Sequence, residues 1–378
     1  MVYLDYAATC PILPSVASAM AAAERKYFAN ASALHTPGHQ AMNEIEDCRE
    51  KLARMVGCEA DEIIFTSGAT ESNNTVVRTF EGCEIETSPF EHHSVIEAAK
   101  KYRGEKLPKL YSYMLANNET GAILNLPHPE VSACHFSVNT DLFAAKNEWG
   151  KELATDRRSA YFHSDLTQAL GKIPVNVKDL GLDYATFSAH KIGGPVGVGA
   201  LYVRRGVPFC PLLIGGRQEG GRRGGTYNTI GIIGFGAALD EVERNGDIEE
   251  YNTRIRNMRD TLARMILKDI PGSSLNTDLM PGRSLPNILN VSFAAAEGES
   301  IQLYLDAEEI VVSTGSACAA GDIKPSHVLM ALAGDAEVAH SSIRFSFGLA
   351  NTMRDVEAVM RVLPGIIKKL QGVSTVAL

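Results

Sequence analysis

Ala185-Thr186-Phe187-Ser188-Ala189-His190-Lys191-Ile192-Gly193-Gly194-Pro195 sets a lysine at the end of a strand. Leu182 to Phe187 is a short β-type run that stops at small and hydroxyl residues. After the lysine comes a glycine-rich segment that cannot continue as a helix. A lysine at such a junction is fixed at its backbone and free at its tip. Desolvation there favours the neutral amine, which can form a Schiff base. A lysine taken alone is most often a solvated loop residue. The rest of the chain has to decide between the two.

The chain has 378 residues, and 45% of them are hydrophobic. That suffices for a large core and for two domains. The net charge of −9 argues against nucleic acid or an anionic membrane as the main partner. No apolar run reaches the length of a membrane span. Met1-Val2-Tyr3-Leu4-Asp5 has neither a basic region nor a signal-type core, so the expected location is cytoplasmic. The seven cysteines, Cys10, Cys48, Cys58, Cys83, Cys134, Cys210 and Cys318, are scattered and form no C-x-x-C pair. A structural zinc site or a disulfide framework is not expected, and no metal site is assigned.

Ser15 to Tyr27 is alanine-rich and reads as a helix with Ser15 as a candidate N-cap. Gly38 to Val56 reads as an amphipathic helix closed by Gly57. Glu62 to Phe65 is a short buried strand followed by Thr66-Ser67-Gly68-Ala69-Thr70-Glu71-Ser72-Asn73, with a helix starting near Thr70. Strand, hydroxyl-rich turn and helix N-terminus make a phosphate-binding geometry. Ordinary N-capping accounts for the same residues equally well. Glu91-His92-His93-Ser94 opens another helix, and His92 suits either an aromatic platform over a flat ring or a surface loop. Asp165 stands just past an apolar strand, where a carboxylate needs a partner or a cationic ring. Gly215 to Thr226 holds six glycines and three arginines, which reads as a mobile, anion-friendly loop. The final part alternates strand and helix, with Ser313-Thr314-Gly315-Ser316-Ala317-Cys318-Ala319-Ala320-Gly321 after a strand and Arg344 on another. The pattern predicts an α/β fold with a mainly parallel sheet and an α+β terminal domain.

Taken in order, these stretches resemble the cysteine desulfurases of the NifS/IscS type, in the class-V aminotransferase superfamily of fold-type I pyridoxal-phosphate enzymes. The resemblance rests on Tyr3-Leu4-Asp5-Tyr6-Ala7-Ala8-Thr9, Thr66 to Asn73, Glu91-His92, Asn117-Asn118-Glu119-Thr120-Gly121, Asp165-Leu166-Thr167-Gln168, Ser188-Ala189-His190-Lys191, Gly224-Gly225-Thr226, Gly315-Ser316-Ala317-Cys318 and Ser342-Ile343-Arg344-Phe345-Ser346. It implies a PLP-dependent transferase fold with a seven-stranded-type sheet in the large domain. The expected division is 14–250 for that domain, and 1–13 with 251–378 for a small α+β domain carrying the cysteine loop.

The resemblance also implies roles. Lys191 would hold pyridoxal 5'-phosphate as a Schiff base and then shuttle a proton. Asp165 would pair with the ring nitrogen, and His92 would stack on the ring. Gln168 would bond the phenolic oxygen, with Asn118 nearby. Ala69, Thr70, Ser188 and His190 would hold the phosphate, with Thr226 reaching in from the partner subunit of a homodimer. Arg344 and Asn118 would bind the carboxylate of L-cysteine. Cys318 would take the sulfur as a persulfide, leaving alanine, and pass it to an acceptor such as an Fe–S scaffold protein.

The interval from His92 to Asn118 is shorter than the family's, and the stretch from Gly121 to His163 is longer. The large domain is therefore expected to be remodelled near 100–160, with one strand and one helix missing. Two other readings remain: a cysteine, cystine or selenocysteine lyase on the same scaffold, and a non-catalytic scaffold that docks acceptors. Cys318 separates the first from a desulfurase. Lys191, Asp165 and His92 speak against the second, since docking alone does not need them.

Overall fold

The structure is a computed structural model that describes residues 1–127, 158–244, 248–314 and 325–373. In chain order the strands are β1 (Val2–Tyr3), β2 (Ile63–Thr66), β3 (Cys83–Thr87), β4 (Lys106–Ser112), β5 (Ala160–Asp165), β6 (Tyr184–Ser188), β7 (Gly199–Val203), β8 (Ser273–Leu275), β9 (Ile288–Phe293), β10 (Ile310–Val311), β11 (Ser313–Thr314) and β12 (Ser342–Ser346). The helices are α1 (Pro14–Lys26), α2 (Thr36–Val56), α3 (Ala69–Thr79), α4 (His93–Tyr102), α5 (Thr229–Arg244), α6 (Ile248–Asp269), α7 (Gly298–Ala307), α8 (His327–Ala333), α9 (Ala336–His340) and α10 (Met353–Val373). The chain divides into two compact units.

One unit comprises Pro11–Leu115 and Asn125–Arg244. Its sheet has the order β2-β7-β6-β5-β4-β3. β3, β4, β5 and β6 pair in parallel, while β7 is antiparallel to both β2 and β6. One strand thus runs against five, and the sheet is mainly parallel as expected. It has six strands among the described residues, where a seven-stranded type was expected. Between His92 and Asn118 the chain has only α4 and β4, and β4 pairs directly with both β3 and β5. The sheet closes across the short interval without a further strand there. Parallel strands buried on both faces need continuous apolar runs, and β2, β5, β6 and β7 are buried at every position. Phe80 is fully buried, with Tyr161 and Tyr184 rings 5.4 and 5.8 Å away. Truncating it to alanine would cost about 3–5 kcal/mol.

Two local expectations change. Pro14, not Ser15, opens α1, and Leu13 takes the cap position. Proline lacks the N–H that the first turn would leave unpaired. The Gly215–Thr226 loop, expected to be mobile, is tied down. Arg49 forms a buried two-pronged pair with Glu219 at 2.7 and 2.9 Å, and Arg223 reaches Glu71 at 2.9 Å. Those partners lie far away in sequence, so local composition gave no sign of them.

The other unit comprises Met1–Cys10, Ala116–Leu124 and Asn245–Leu378. The segment 116–124 belongs here by its contacts, although the expected division put it in the large domain. An antiparallel sheet, β11-β12-β9-β8, and a parallel pair, β1-β10, carry the unit. α6, α7 and α10 pack on them around Leu289, Val291, Phe293, Ile343 and Phe345. Ala122 bridges to Ser284, and Thr277 Oγ1 donates to the Thr120 carbonyl at 2.8 Å. These bonds draw 116–124 into the unit. No helix among the described residues is long and apolar enough to cross a membrane.

Candidate active site

The carboxyl ends of β2, β5 and β6 lie at the same edge of the large sheet. In open α/β sheets that edge is where ligands bind. Asp165 is the last residue of β5 and pairs in register with Thr186 of β6. β6 ends at Ser188, and a 3₁₀ turn, Ala189–Ile192, carries His190 and Lys191. Gly193 closes the turn at φ 82°, and a Cβ there would strike Leu13 at 2.6 Å. Glycine is thus required both by conformation and by space. Leu13 N–H donates to the Gly193 carbonyl at 3.0 Å, which ties the start of α1 to the lysine turn.

Asp165 is 6% exposed. Its Oδ2 accepts from Asn73 Nδ2 at 2.8 Å and its Oδ1 from Thr167 N–H at 3.0 Å. The carboxylate is thus held in one orientation from α3 and from the turn after β5. His163, two residues earlier on β5, lies between Ser112 Oγ at 2.7 Å and Thr186 Oγ1 at 3.1 Å. Burial pushes His163 down to about 4, against the pull of Asp165. It is neutral at pH 7. Glu91 is fully buried and accepts from Ser88 Oγ at 2.5 Å and Met114 N–H at 2.7 Å. Burial, aided by nearby Asp165, pushes Glu91 up to about 8.

His92 caps α4. Its Nδ1 accepts from Ser94 N–H at 3.1 Å and lies 2.8 Å from Ser94 Oγ. Ser94 Oγ in turn accepts from Asn73 Nδ2 at 2.8 Å. His93 is exposed. Gln168 is buried, and Lys172 Nζ donates to its carbonyl at 3.2 Å. Burial first, then Lys191 and Lys172, push His190 down to about 4, so it too is neutral at pH 7.

At the end of β2, Gly68 caps α3 with φ 150° and no side-chain bond. A Cβ on Gly199 of β7 would lie 2.7 Å from the Gly68 Cα. Only glycine at 199 lets the turn come this close. The first N–H groups of a helix lack acceptors within it, so Ala69 and Thr70 present donors at the start of α3. Glu71 secures the turn by accepting from Ser67 N–H at 2.7 Å. The Arg223 and Ser67 bonds outweigh burial and hold Glu71 below the usual carboxylate range. Thr226 is exposed and lines a pocket of about 140 Å³ with Thr66, Ser67 and Arg223 of the same chain.

In the other unit, Arg344 on β12 donates to the Asn118 carbonyl at 2.9 Å and to Asp5 Oδ1 at 2.7 Å. Cys318 lies outside the described residues. The large unit thus brings Ala69, Thr70, His92, Asp165, Gln168, Ser188, His190 and Lys191 to loops and strand ends at one sheet edge. Sequence reading assigned nothing to Asn73, Ser94 or His163. The position of His163 two residues before Asp165, hence on the same strand face, was the available signal for it.

Residues 2–359 match the family described as Aminotransferase class-V. Cysteine desulfurase IscS of Dictyoglomus turgidum is 41% identical over 99% of this chain and 96% of its own length. The chain belongs to the cysteine desulfurases of the class-V aminotransferases. A cysteine desulfurase of Gluconacetobacter diazotrophicus is 39% identical over 99% of this chain and 95% of its own. Among solved structures, an NifS-like protein is 33% identical with a TM-score of 0.78 and covers 98% of both chains. Enzymes of this family depend in general on pyridoxal phosphate.

Proposed function

We propose that the chain converts L-cysteine to L-alanine with bound pyridoxal 5'-phosphate and transfers the sulfur to Cys318. Cys318 thiol and cysteine give a Cys318 persulfide and alanine, so the step balances without an external oxidant. An acceptor protein then takes the sulfur for Fe–S cluster assembly or thio-modification. One observation carries the reading: a buried, doubly bonded Asp165 and the Lys191 turn end adjacent parallel strands.

The residues present fit the cofactor. A fixed carboxylate suits a protonated ring nitrogen. The α3 start, with its side-chain-free cap, suits a phosphate. Neutral His190 and the Ser188 hydroxyl add donors beside Ala69 and Thr70. When bound, the cofactor supplies an electron sink for the bond broken at the substrate. Lys191 would hold it and would move a proton at Nζ. His92 would cover the ring, and Gln168 would bond its phenolic oxygen, with Asn118 nearby. Arg344 and Asn118 bind the substrate carboxylate. The Arg344 Nε is buried and has no bond within the described protein, which leaves it as a donor for that carboxylate.

The proposed assembly is a cytoplasmic homodimer in which Thr226 serves the partner's phosphate site. Phe28, Leu34, Val196 and Ile214 are 75–90% exposed and support a covered surface on this unit. The test is to incubate purified protein with L-cysteine and measure alanine and sulfide, with and without a thiol reductant. Alanine matched by sulfide released on reduction supports the reading. Absence of alanine from protein loaded with the cofactor overturns it.

A further inference from the structure

Asn73 is fully buried on α3 and has no place in the roles above. Its amide nitrogen lies 2.8 Å from Asp165 Oδ2 and 2.8 Å from Ser94 Oγ. The two N–H bonds of one amide therefore serve two elements, the end of β5 and the first turn of α4. Flipping the amide would set its oxygen against a carboxylate oxygen at 2.8 Å, two acceptors facing each other. The nitrogen must face Asp165. The amide oxygen is left buried with no bond within the described protein. The position thus keeps its two donors at the expense of its acceptor.

The bond directions can be followed onward. A backbone N–H only donates, so His92 Nδ1, 3.1 Å from Ser94 N, must be the acceptor. Ser94 Oγ, already accepting from Asn73, has its own proton available for Nδ1 at 2.8 Å. With Nδ1 unprotonated, the proton of the neutral ring stands on Nε2.

We infer that Asn73 is a positioning residue whose single amide fixes both the Asp165 carboxylate and the Ser94 hydroxyl that donates to His92 Nδ1. This rests on the proposed roles of Asp165 and His92 around the cofactor ring. The acid at the ring nitrogen and the histidine over the ring face are held by one group. A shift of α3 moves both together.

The test uses full-length holoenzyme labelled with ¹⁵N-histidine, with the His92 signals assigned by comparison with His92→Gln. Wild type shows His92 in the Nε2–H form alone. Ser94→Ala and Asn73→Ala keep that form, because the backbone N–H of residue 94 still donates to Nδ1. Their His92 Nδ1 signal moves away from the wild-type position as the hydroxyl bond is lost or loosened, while Ser94→Thr, which keeps the hydroxyl, stays at the wild-type position. Asn73→Ala also loses about tenfold to a hundredfold in kcat for alanine formation, the usual scale for removing an orienting partner. Its KM for cysteine changes by less than about twofold, because no substrate contact is lost. An Nδ1–H form in the wild type overturns the inference. So does an Asn73→Ala or Ser94→Ala protein whose His92 Nδ1 signal matches wild type. Should Asn73→Ala fail to fold, the Ser94→Ala and Ser94→Thr pair still decides. A wild-type protein that binds the cofactor but makes no alanine defeats the proposed function and leaves the comparison of His92 signals standing.

Discussion

Arg344 Nη2 donates to Asp5 Oδ1 at 2.7 Å, so an acid from the first residues of the chain aims the arginine of β12. Arg344 Nη1 meets the Asn118 carbonyl at 2.9 Å, and the side chain is 4% exposed. A guanidinium fixed on two nitrogens offers its Nε–H in a set direction. Asp5→Ala leaves the charge in place and removes the aim. The expected result is a rise of about tenfold in KM for cysteine, the scale of one charged hydrogen bond. kcat should fall less. Steady-state kinetics check this, and an unchanged KM would show that Asp5 does not set the arginine.

Asp165→Asn should retain bound cofactor and lose most turnover. An amide cannot keep a ring nitrogen protonated. It also has one acceptor atom where Asn73 and Thr167 both donate. A barrier raised by about 4 kcal/mol lowers the rate roughly a thousandfold. Turnover near wild type in a folded, cofactor-loaded Asp165→Asn protein would contradict the role.

Glu91 makes stability depend on pH. Burial pushes it up to about 8, well above its value in the unfolded chain. Between about pH 4.5 and 8 the native state therefore holds a proton that the unfolded state has lost. Stability from this group falls as pH rises through that window. Glu91→Gln keeps acceptors for Ser88 and Met114 and cannot ionise. The variant should match wild type near the acid end of the window and exceed it near pH 8, by on the order of a few kcal/mol. His163 tends the other way at acid pH but is common to both proteins. Melting temperatures across the window test this; parallel curves would mean that Glu91 is ionised in the native protein.

Residue types and spacing showed the strand–helix alternation, the lysine at the strand end and the acid at the end of its neighbour. Such features are local: periodicity, a turn of small residues, a glycine after a helix. The bonds that tie them together were not legible. Asn73 looks like one more polar residue on a helix until α3, α4 and β5 are brought together. The arginines of the Gly215–Thr226 loop suggested a free cationic segment, because Glu71 meets Arg223, and Arg49 meets the loop's own Glu219, only through the fold. The α1 cap lies two residues before Ser15, because proline's missing N–H lets Pro14 open the helix although serine is the better cap by residue type.

The last prediction concerns which cysteine carries sulfur. Attack needs a thiolate, and an ordinary thiol has a few per cent of it at pH 7. Burial pushes Cys48 and Cys58 up to about 12 and Cys83 up to about 11. At those values well under a thousandth of each is thiolate at pH 7. Burial thereby disfavours three of the seven cysteines as nucleophiles. Cys318 lies outside the described residues, but its neighbours Gly315, Ser316, Ala317, Ala319, Ala320 and Gly321 are all small. That composition does not suit a packed core, where desolvation would act on it as it does on the other three. Cys318→Ala should keep the cofactor and bind cysteine, yet form almost no alanine. A persulfide trapped with an alkylating reagent after a cysteine pulse should map to Cys318. If Cys318→Ala makes alanine at the normal rate, another cysteine carries the sulfur. If it releases sulfide without alanine, sulfur leaves by direct elimination and the chain acts as a lyase.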